Sequence, residues 1–238
     1  MLNDRVVIVT GSTGALGRVV AKRLMEEGAR VAAVYRTRER FEELQRLVGG
    51  APSNLSGFEA DVTDSSDVTK LVDEVLKRYG RVDALLNIAG AYEGGRSLAE
   101  TEVGQWDRLM DVNLKSAFLC SKAVLPRMME QDYGRIVSVS AKTATQRGRR
   151  ANSGAYAVSK AGIITLTEAL AEEVSRYDIN VNCVMPSTID TPANREMFPK
   201  TDHSKWVDPV EIAEVIIFLA SEKAKPISGA AVPVYGKA

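Results

Sequence analysis

Tyr156 and Lys160 are four residues apart, so on a helix they share one face. The stretch that carries them, Ser153-Gly154-Ala155-Tyr156-Ala157-Val158-Ser159-Lys160, reads as a helix start. Ser153 stands where an N-cap should, and apolar residues recur at Ile163, Leu166, Ala169 and Leu170. The chemistry of such a pair is proton exchange. A free phenol has a pKa of about 10, too high for efficient exchange near neutrality. An ammonium held within a few Å favours phenolate and lowers that value. The tyrosine is then suited to giving a proton to a carbonyl oxygen that is becoming an alkoxide.

A second set of residues points to a dinucleotide. Arg5-Val6-Val7-Ile8-Val9-Thr10 is a β-branched run, as in a strand buried on both faces. Gly11-Ser12-Thr13-Gly14-Ala15-Leu16-Gly17 follows, and then a helical pattern through Val19, Val20 and Leu24 that stops at Gly28. Glycines let a backbone turn tightly against a pyrophosphate, and a helix N-terminus offers unpaired N–H groups. The second strand, Arg30 to Tyr35, ends without the Asp or Glu that usually accepts the ribose hydroxyls of NAD. Tyr35 stands there, followed by Arg36 and Arg38. Arginine suits a 2′-phosphate, so NADP is the expected cofactor, preferred over NAD.

The elements that must position these groups alternate along the chain. Gly49 to Gly57 reads as a loop, and Phe58 to Val62 as a third strand in which Asp61 faces the adenine edge. A helix capped by Asp64 or Ser65 runs to Gly80. Asp83 to Ile88 is the fourth strand, and its small-residue end, Asn87-Ile88-Ala89-Gly90, lets a cofactor lie against it. One helical pattern spans Thr101 to Glu130 and holds Asn113, an amide in an apolar setting. Arg135 to Ser140 is the fifth strand. The following loop, Ala141 to Asn152, carries Lys142, Arg147, Arg149 and Arg150 and is expected at the substrate mouth. Asn180 to Met185 is the sixth strand, Thr188 to Val207 is irregular, Pro209 opens a last helix through Ala220, and Val232 to Val234 is a final strand. The expectation is a single α/β domain over residues 1–238, Rossmann-type, with a doubly wound parallel sheet of about seven strands.

Composition excludes several classes. Lys plus Arg and Asp plus Glu are 31 each, which gives no general attraction to nucleic acid or to membrane surfaces. No apolar run approaches the ~20 residues of a membrane span. Cys120 and Cys183 sit in apolar stretches and read as free buried thiols of a reducing compartment. The chain starts MLND and runs straight into a strand, so no leader is expected and the location is read as cytoplasmic. His203 is the single histidine and no ligand cluster surrounds it, so no metal is expected.

With these motifs in order, the chain resembles the short-chain dehydrogenase/reductase family over its whole length. The matching features are the TGSTGALG turn, Asp61-Val62, Asn87-x-Ala89-Gly90, Asn113, Tyr156-x-x-x-Lys160, Pro186 with Asp190-Thr191-Pro192, and Ser228-Gly229. The resemblance implies an oxidoreductase with Tyr156 as acid/base. It implies that Lys160 holds the nicotinamide ribose and lowers the tyrosine pKa, and that Asn113 kinks its helix and carries a relay water. It places Gly11, Thr13, Gly14, Leu16, Gly17, Tyr35, Arg36, Asp61, Val62, Asn87, Ala89, Gly90 and Pro186 at the cofactor, with Ile189 and Thr191 at the nicotinamide carboxamide and phosphates. It also implies a homodimer or homotetramer acting on a small molecule.

Three positions depart from the pattern. Ala15 stands for a glycine, Ser187 for the glycine after the proline, and Ala141 for the catalytic serine. Ser140 is the neighbouring serine and Thr143 follows it; if the strand is extended, Ser140 points away from the nicotinamide and contributes little. Ser140 to Ala144, and the run from Asp190 to Trp206, look more narrowly like dihydropteridine reductases, which also lack the serine. Their loop after the fourth strand is glycine-rich with an aromatic, as Tyr92-Glu93-Gly94-Gly95 is here. Those enzymes use an acid for NADH where this chain has Tyr35. The expected reaction is hydride transfer to a C=O or C=N, with a quinonoid dihydropterin or similar flat heterocycle as substrate. The alternatives are a 3-oxoacyl-carrier or small-ketone reductase and, from another class, a nucleotide-sensing protein without turnover.

Overall fold

The computed structural model describes residues 1–145 and 151–237. Strands β1 (Val6–Thr10), β2 (Arg30–Tyr35), β3 (Leu55–Glu59), β4 (Ala84–Asn87), β5 (Gly134–Val139), β6 (Ile179–Pro186) and β7 (Ala231–Val234) form one sheet in the order β3-β2-β1-β4-β5-β6-β7. Every neighbouring pair is parallel. Parallel strands need crossovers, and helices supply them: α1 (Ala15–Glu26), α2 (Arg38–Leu47), α3 (Ser65–Tyr79), α4 (Val103–Met110), α5 (Ser116–Gln131), α6 (Gly154–Glu173), α7 (Pro192–Met197) and α8 (Pro209–Leu219).

The sheet is buried on both faces because alternate side chains of each strand feed different cores. Val7 and Val9 of β1 join a cluster with Val20 and Leu24 of α1 and Ile212 and Ile216 of α8. Val6 and Ile8 join the opposite cluster with Leu71 and Val75 of α3 and Val124 and Met128 of α5. The chain order reverses between β1 and β4. A crevice opens at such a point beyond the strand ends, where ligands of open α/β sheets bind.

Three readings are corrected. The third strand begins at Leu55, not Phe58, and pairs with β2 from Val31↔Leu55 to Tyr35↔Glu59. Gly57 had marked the segment as loop. It lies mid-strand because a Cβ there would stand 2.5 Å from the Phe41 ring, which stacks on Tyr35 at 4.9 Å. The pattern from Thr101 to Glu130 is not one regular helix. A π-helical segment, Asp111–Lys115, separates α4 from α5 and carries Asn113. The stretch from Thr188 to Val207 contains α7 and a 3₁₀ turn, His203–Lys205. Among the described residues no helix is long and apolar enough to cross a membrane.

Candidate active site

The ends of β1 and β4 are tied together. Thr10 Oγ1 accepts from the Ile88 and Ala89 N–H groups at 3.1 and 3.2 Å and donates to the Leu86 carbonyl at 3.3 Å. The turn after β1 is closed: Gly11 has φ +63°, and a Cβ on Gly17 would stand 2.1 Å from the Gly11 carbonyl oxygen. Ser12 Oγ anchors the turn by donating to the Val34 carbonyl at 2.8 Å. Glycine here therefore meets steric demands of the turn.

From this turn a cleft of about 770 Å³ runs across the strand ends. Gly11, Thr13, Gly14, Leu16 and Gly17 line one end, with Tyr35, Arg36, Asp61 and Val62 beside them. Ala89, Gly90, Pro186 and Ile189 lie along it, and Tyr156, Lys160, Ser140, Ala141, Tyr92 and Phe198 line the other end. The volume is of the size that holds a sizeable ligand. A narrow turn of glycines at a helix N-terminus fits a pyrophosphate at one end, so the residues present fit a dinucleotide.

Two expected cofactor residues stand outside the cleft. Asn87 is 5% exposed, and its Nδ2 donates to Ser121 and Ser138 at 3.3 and 3.2 Å, which turns the amide into the helix layer. Thr191 is 7% exposed and caps α7, accepting from the Asn194 N–H at 3.2 Å. Asn194 lines the cleft in its place. Among the arginines after β2, Arg38 is held by the Tyr35 phenol and Glu42, which raise its pKa. Arg40, in the first turn of α2, lines the cleft together with Arg36. Asp61 accepts from the Thr63 N–H and Oγ1 at 2.9 and 2.7 Å, which hold its carboxyl below the usual range.

At the catalytic end, Asn113 joins three elements. Its Oδ1 accepts from the Ala91 N–H at 2.9 Å, and its Nδ2 donates to the Ala91 carbonyl and Ser159 Oγ, both at 3.0 Å. Ser159 in turn donates to the Tyr156 carbonyl at 2.8 Å. Ser159 was not singled out from the sequence, although it lies between Tyr156 and Lys160. Gly90 is required here, since its Cβ would stand 2.8 Å from Asn113 Oδ1 and 3.2 Å from Lys160 Nζ. Ser140 is 2% exposed and donates to the Lys160 carbonyl at 2.7 Å, so its hydroxyl supports α6. Ala141 follows it with a methyl group. Lys142 is buried, with its ammonium 4.8 Å from the centre of the Tyr235 ring, and is not part of a solvated basic surface. Arg147, Arg149 and Arg150 lie outside the described residues.

Burial dominates the electrostatics of the pair. Lys160 is 5% exposed, and burial pushes its pKa down to about 8. Its Nζ donates to the Val139 carbonyl at 2.8 Å. The Tyr156 phenol is pushed above its usual value, first by burial and then by Tyr92. Helical spacing puts the two side chains on one face, and burial shifts each toward its neutral form. Among the described residues no cluster of three or more His, Cys, Asp or Glu could hold a metal.

This fold and cleft define a dinucleotide-dependent oxidoreductase. The family model described as short chain dehydrogenase matches residues 5–202, so the chain belongs to that family. The 3-oxoacyl-[acyl-carrier-protein] reductase FabG of Thermotoga maritima is 31% identical over 245 residues, spanning 99% of this chain and 98% of its own. Dehydrogenase/reductase SDR family member 4 of Bos taurus is 33% identical, spanning 99% of this chain and 87% of its own. The crystal structure of levodione reductase superposes with a TM-score of 0.91 at 30% identity, covering 99% of this chain and 98% of that one. The chain is an NAD(P)-dependent oxidoreductase of this family.

The buried ammonium has a thermodynamic signature. A lysine whose folded pKa lies below its unfolded value destabilises the fold fully below the folded pKa. Stability then rises with pH up to the unfolded value, because the unfolded chain binds the extra proton. For Lys160 that window runs from about 8 to 10.5. The stability of the wild type relative to Lys160→Met should therefore rise by roughly 1.5 kcal/mol between about pH 8 and pH 9.5. Cys183, whose thiol is pushed up to about 11, acts in the opposite sense and is coupled to Lys160, so the comparison is made in a Cys183→Ala background. Urea unfolding of both proteins across that range checks it; a constant difference would show that Lys160 titrates normally.

Proposed function

We propose that this protein reduces a C=O or C=N group on a small molecule, with NADPH as the preferred hydride source. One observation carries the reading: Tyr156 and Lys160 stand at one end of a continuous cleft whose other end is the glycine turn of a dinucleotide site. When bound, the nicotinamide supplies the hydride. The substrate carbon receives it, and the carbonyl oxygen, gaining negative charge, takes the proton of the Tyr156 phenol. A carbonyl, NADPH and one proton thus become an alcohol and NADP⁺. Burial keeps the Tyr156 phenol protonated, the form that donates, and the neighbouring Lys160 charge eases release of the proton as the alkoxide forms. Lys160 orients the nicotinamide ribose and supplies positive charge beside the forming alkoxide. Asn113 acts through position, holding the β4 loop against α6.

A second reading, reduction of a 3-oxoacyl thioester, has one supporting observation, the full-length similarity to FabG of Thermotoga maritima. The lack of a serine at Ala141 favours a substrate that is already activated. Turnover with a carbonyl panel separates both readings from a nucleotide sensor, which would bind the cofactor and oxidise none of it.

Three outcomes are expected. Tyr156→Phe removes the proton donor and should lower kcat by about 10²–10⁴-fold, whereas Ser140→Ala should change it by less than about tenfold. Steady-state kinetics with cofactor binding measured alongside decides this. Equal damage from the two substitutions would reinstate a catalytic serine.

NADPH should bind about tenfold to a hundredfold more tightly than NADH, and Arg36→Ala or Arg40→Ala should erase most of that margin. Titration of both cofactors by fluorescence gives the ratio, and equal wild-type affinities would sink the preference.

A homodimer or homotetramer is expected as well. Phe118 on α5 and Val158 on α6 are 45% and 49% exposed, large apolar groups that a second copy would cover. Sedimentation at micromolar concentration reads the mass; an active 25.8 kDa monomer would refute it.

A further inference from the structure

In a chain only 6% aromatic, a run of ring contacts leads outward from the catalytic tyrosine. Tyr92 meets Tyr156 edge-on, with centroids 4.9 Å apart and planes at 83°. Phe198 follows at 6.4 Å from Tyr92, then Trp206 at 6.5 Å from Phe198. These rings come from three separated segments: the loop after β4, helix α6, and the stretch between β6 and α8. Tyr92 and Phe198 line the cleft, yet they are 41% and 37% exposed. Core packing would bury such rings more completely.

Both rings are held in place. A Cβ on Gly94 would stand 2.3 Å from the Tyr92 hydroxyl, so only glycine admits this phenol. Gly95, with φ +92°, donates its N–H to the Asn152 carbonyl at 2.7 Å, which ties the Tyr92 loop to the start of α6. The Phe198 N–H donates to the Asn194 carbonyl at 2.9 Å, and its own carbonyl meets His203 Nε2 at 3.0 Å. Ala141 adds an apolar surface where a hydroxyl is absent.

Resting on the reductase reading above, we infer that Tyr92 and Phe198 form a specificity wall that selects a planar ring ketone over a linear acyl substrate. Aromatic rings gain from offset-stacked or edge contacts with a fixed π-face. A linear 3-oxoacyl chain has no such face to offer. Tyr92 lies edge-on against Tyr156, so a ring stacked on this wall would lie beside the proton donor.

The test uses 1-tetralone as the ring probe and acetoacetyl-CoA as the linear one. Calorimetry gives the Kd of 1-tetralone on the NADP⁺-loaded wild type, Tyr92→Phe and Tyr92→Ala; kinetics with NADPH gives the ratio of kcat/KM for the two substrates. Tyr92→Ala should weaken 1-tetralone binding at least tenfold and lower the ratio at least tenfold, mainly through KM. Tyr92→Phe should stay within threefold on both. Unchanged binding in Tyr92→Ala, or a wild type that prefers acetoacetyl-CoA, would overturn the ring wall. Binding that depends on Tyr92 without oxidation of NADPH by any carbonyl would support the wall and refute the reductase reading instead.

Discussion

The side-chain amide of Asn113 is the contact on which the Tyr156 end of the cleft depends. It satisfies both backbone groups of Ala91 and bonds Ser159, so one residue fixes the β4 loop against α6. A regular α-helix from Val103 to Gln131 would rotate that amide elsewhere. The π-helical turn adds a residue per turn and re-aims it inward. Two glycines make the approach physically feasible. Gly90 leaves room beside the amide and Lys160, and Gly162 leaves room for Leu114, whose Cδ2 would stand 2.6 Å from a Cβ there.

The two ends of the sheet treat buried charge differently. Where the strands begin, Arg135 is fully buried and surrounded by partners: the Gly134 and Asp178 carbonyls at 2.8 and 2.9 Å, and the carboxylates of Asp178 and Glu222 at 3.1 and 3.3 Å. Its guanidinium and that of Arg5 also flank Tyr133, at 4.4 and 4.2 Å from the ring centre. A buried charge so paired is compensated locally, and removing a partner would leave it uncompensated. Where the strands end, Lys160 meets a carbonyl dipole in place of a carboxylate, and its pKa falls. The first arrangement suits a clamp. The second leaves a group near its titration point, as proton chemistry needs.

The fold was legible because its signals are local. Continuous β-branched runs, amphipathic helices and caps such as Asp64 each depend on a few neighbouring residues, and the cores follow from alternation along the strands. The misreadings occurred where a distant residue decides. Gly57 punctuates a sequence like a turn, but Phe41 packs on it across the sheet.

The sequence alone determined the chemistry-bearing set: a glycine turn between strand and helix, no acid after β2, and Tyr156 one helical turn from Lys160. Those features are spacings along the chain, and spacing is what a sequence records. Tertiary structure decided what these residues face. Enclosure raised the phenol and lowered the ammonium, against the sense of the helical pair taken alone, because desolvation depends on atoms from other segments. It turned Ser140 onto the α6 backbone, since the strand end meets the helix there. It also brought Tyr92 to Tyr156 and Phe198 to Tyr92 from segments far apart in sequence, a proximity set by the packing of separate loops and recorded in no local pattern.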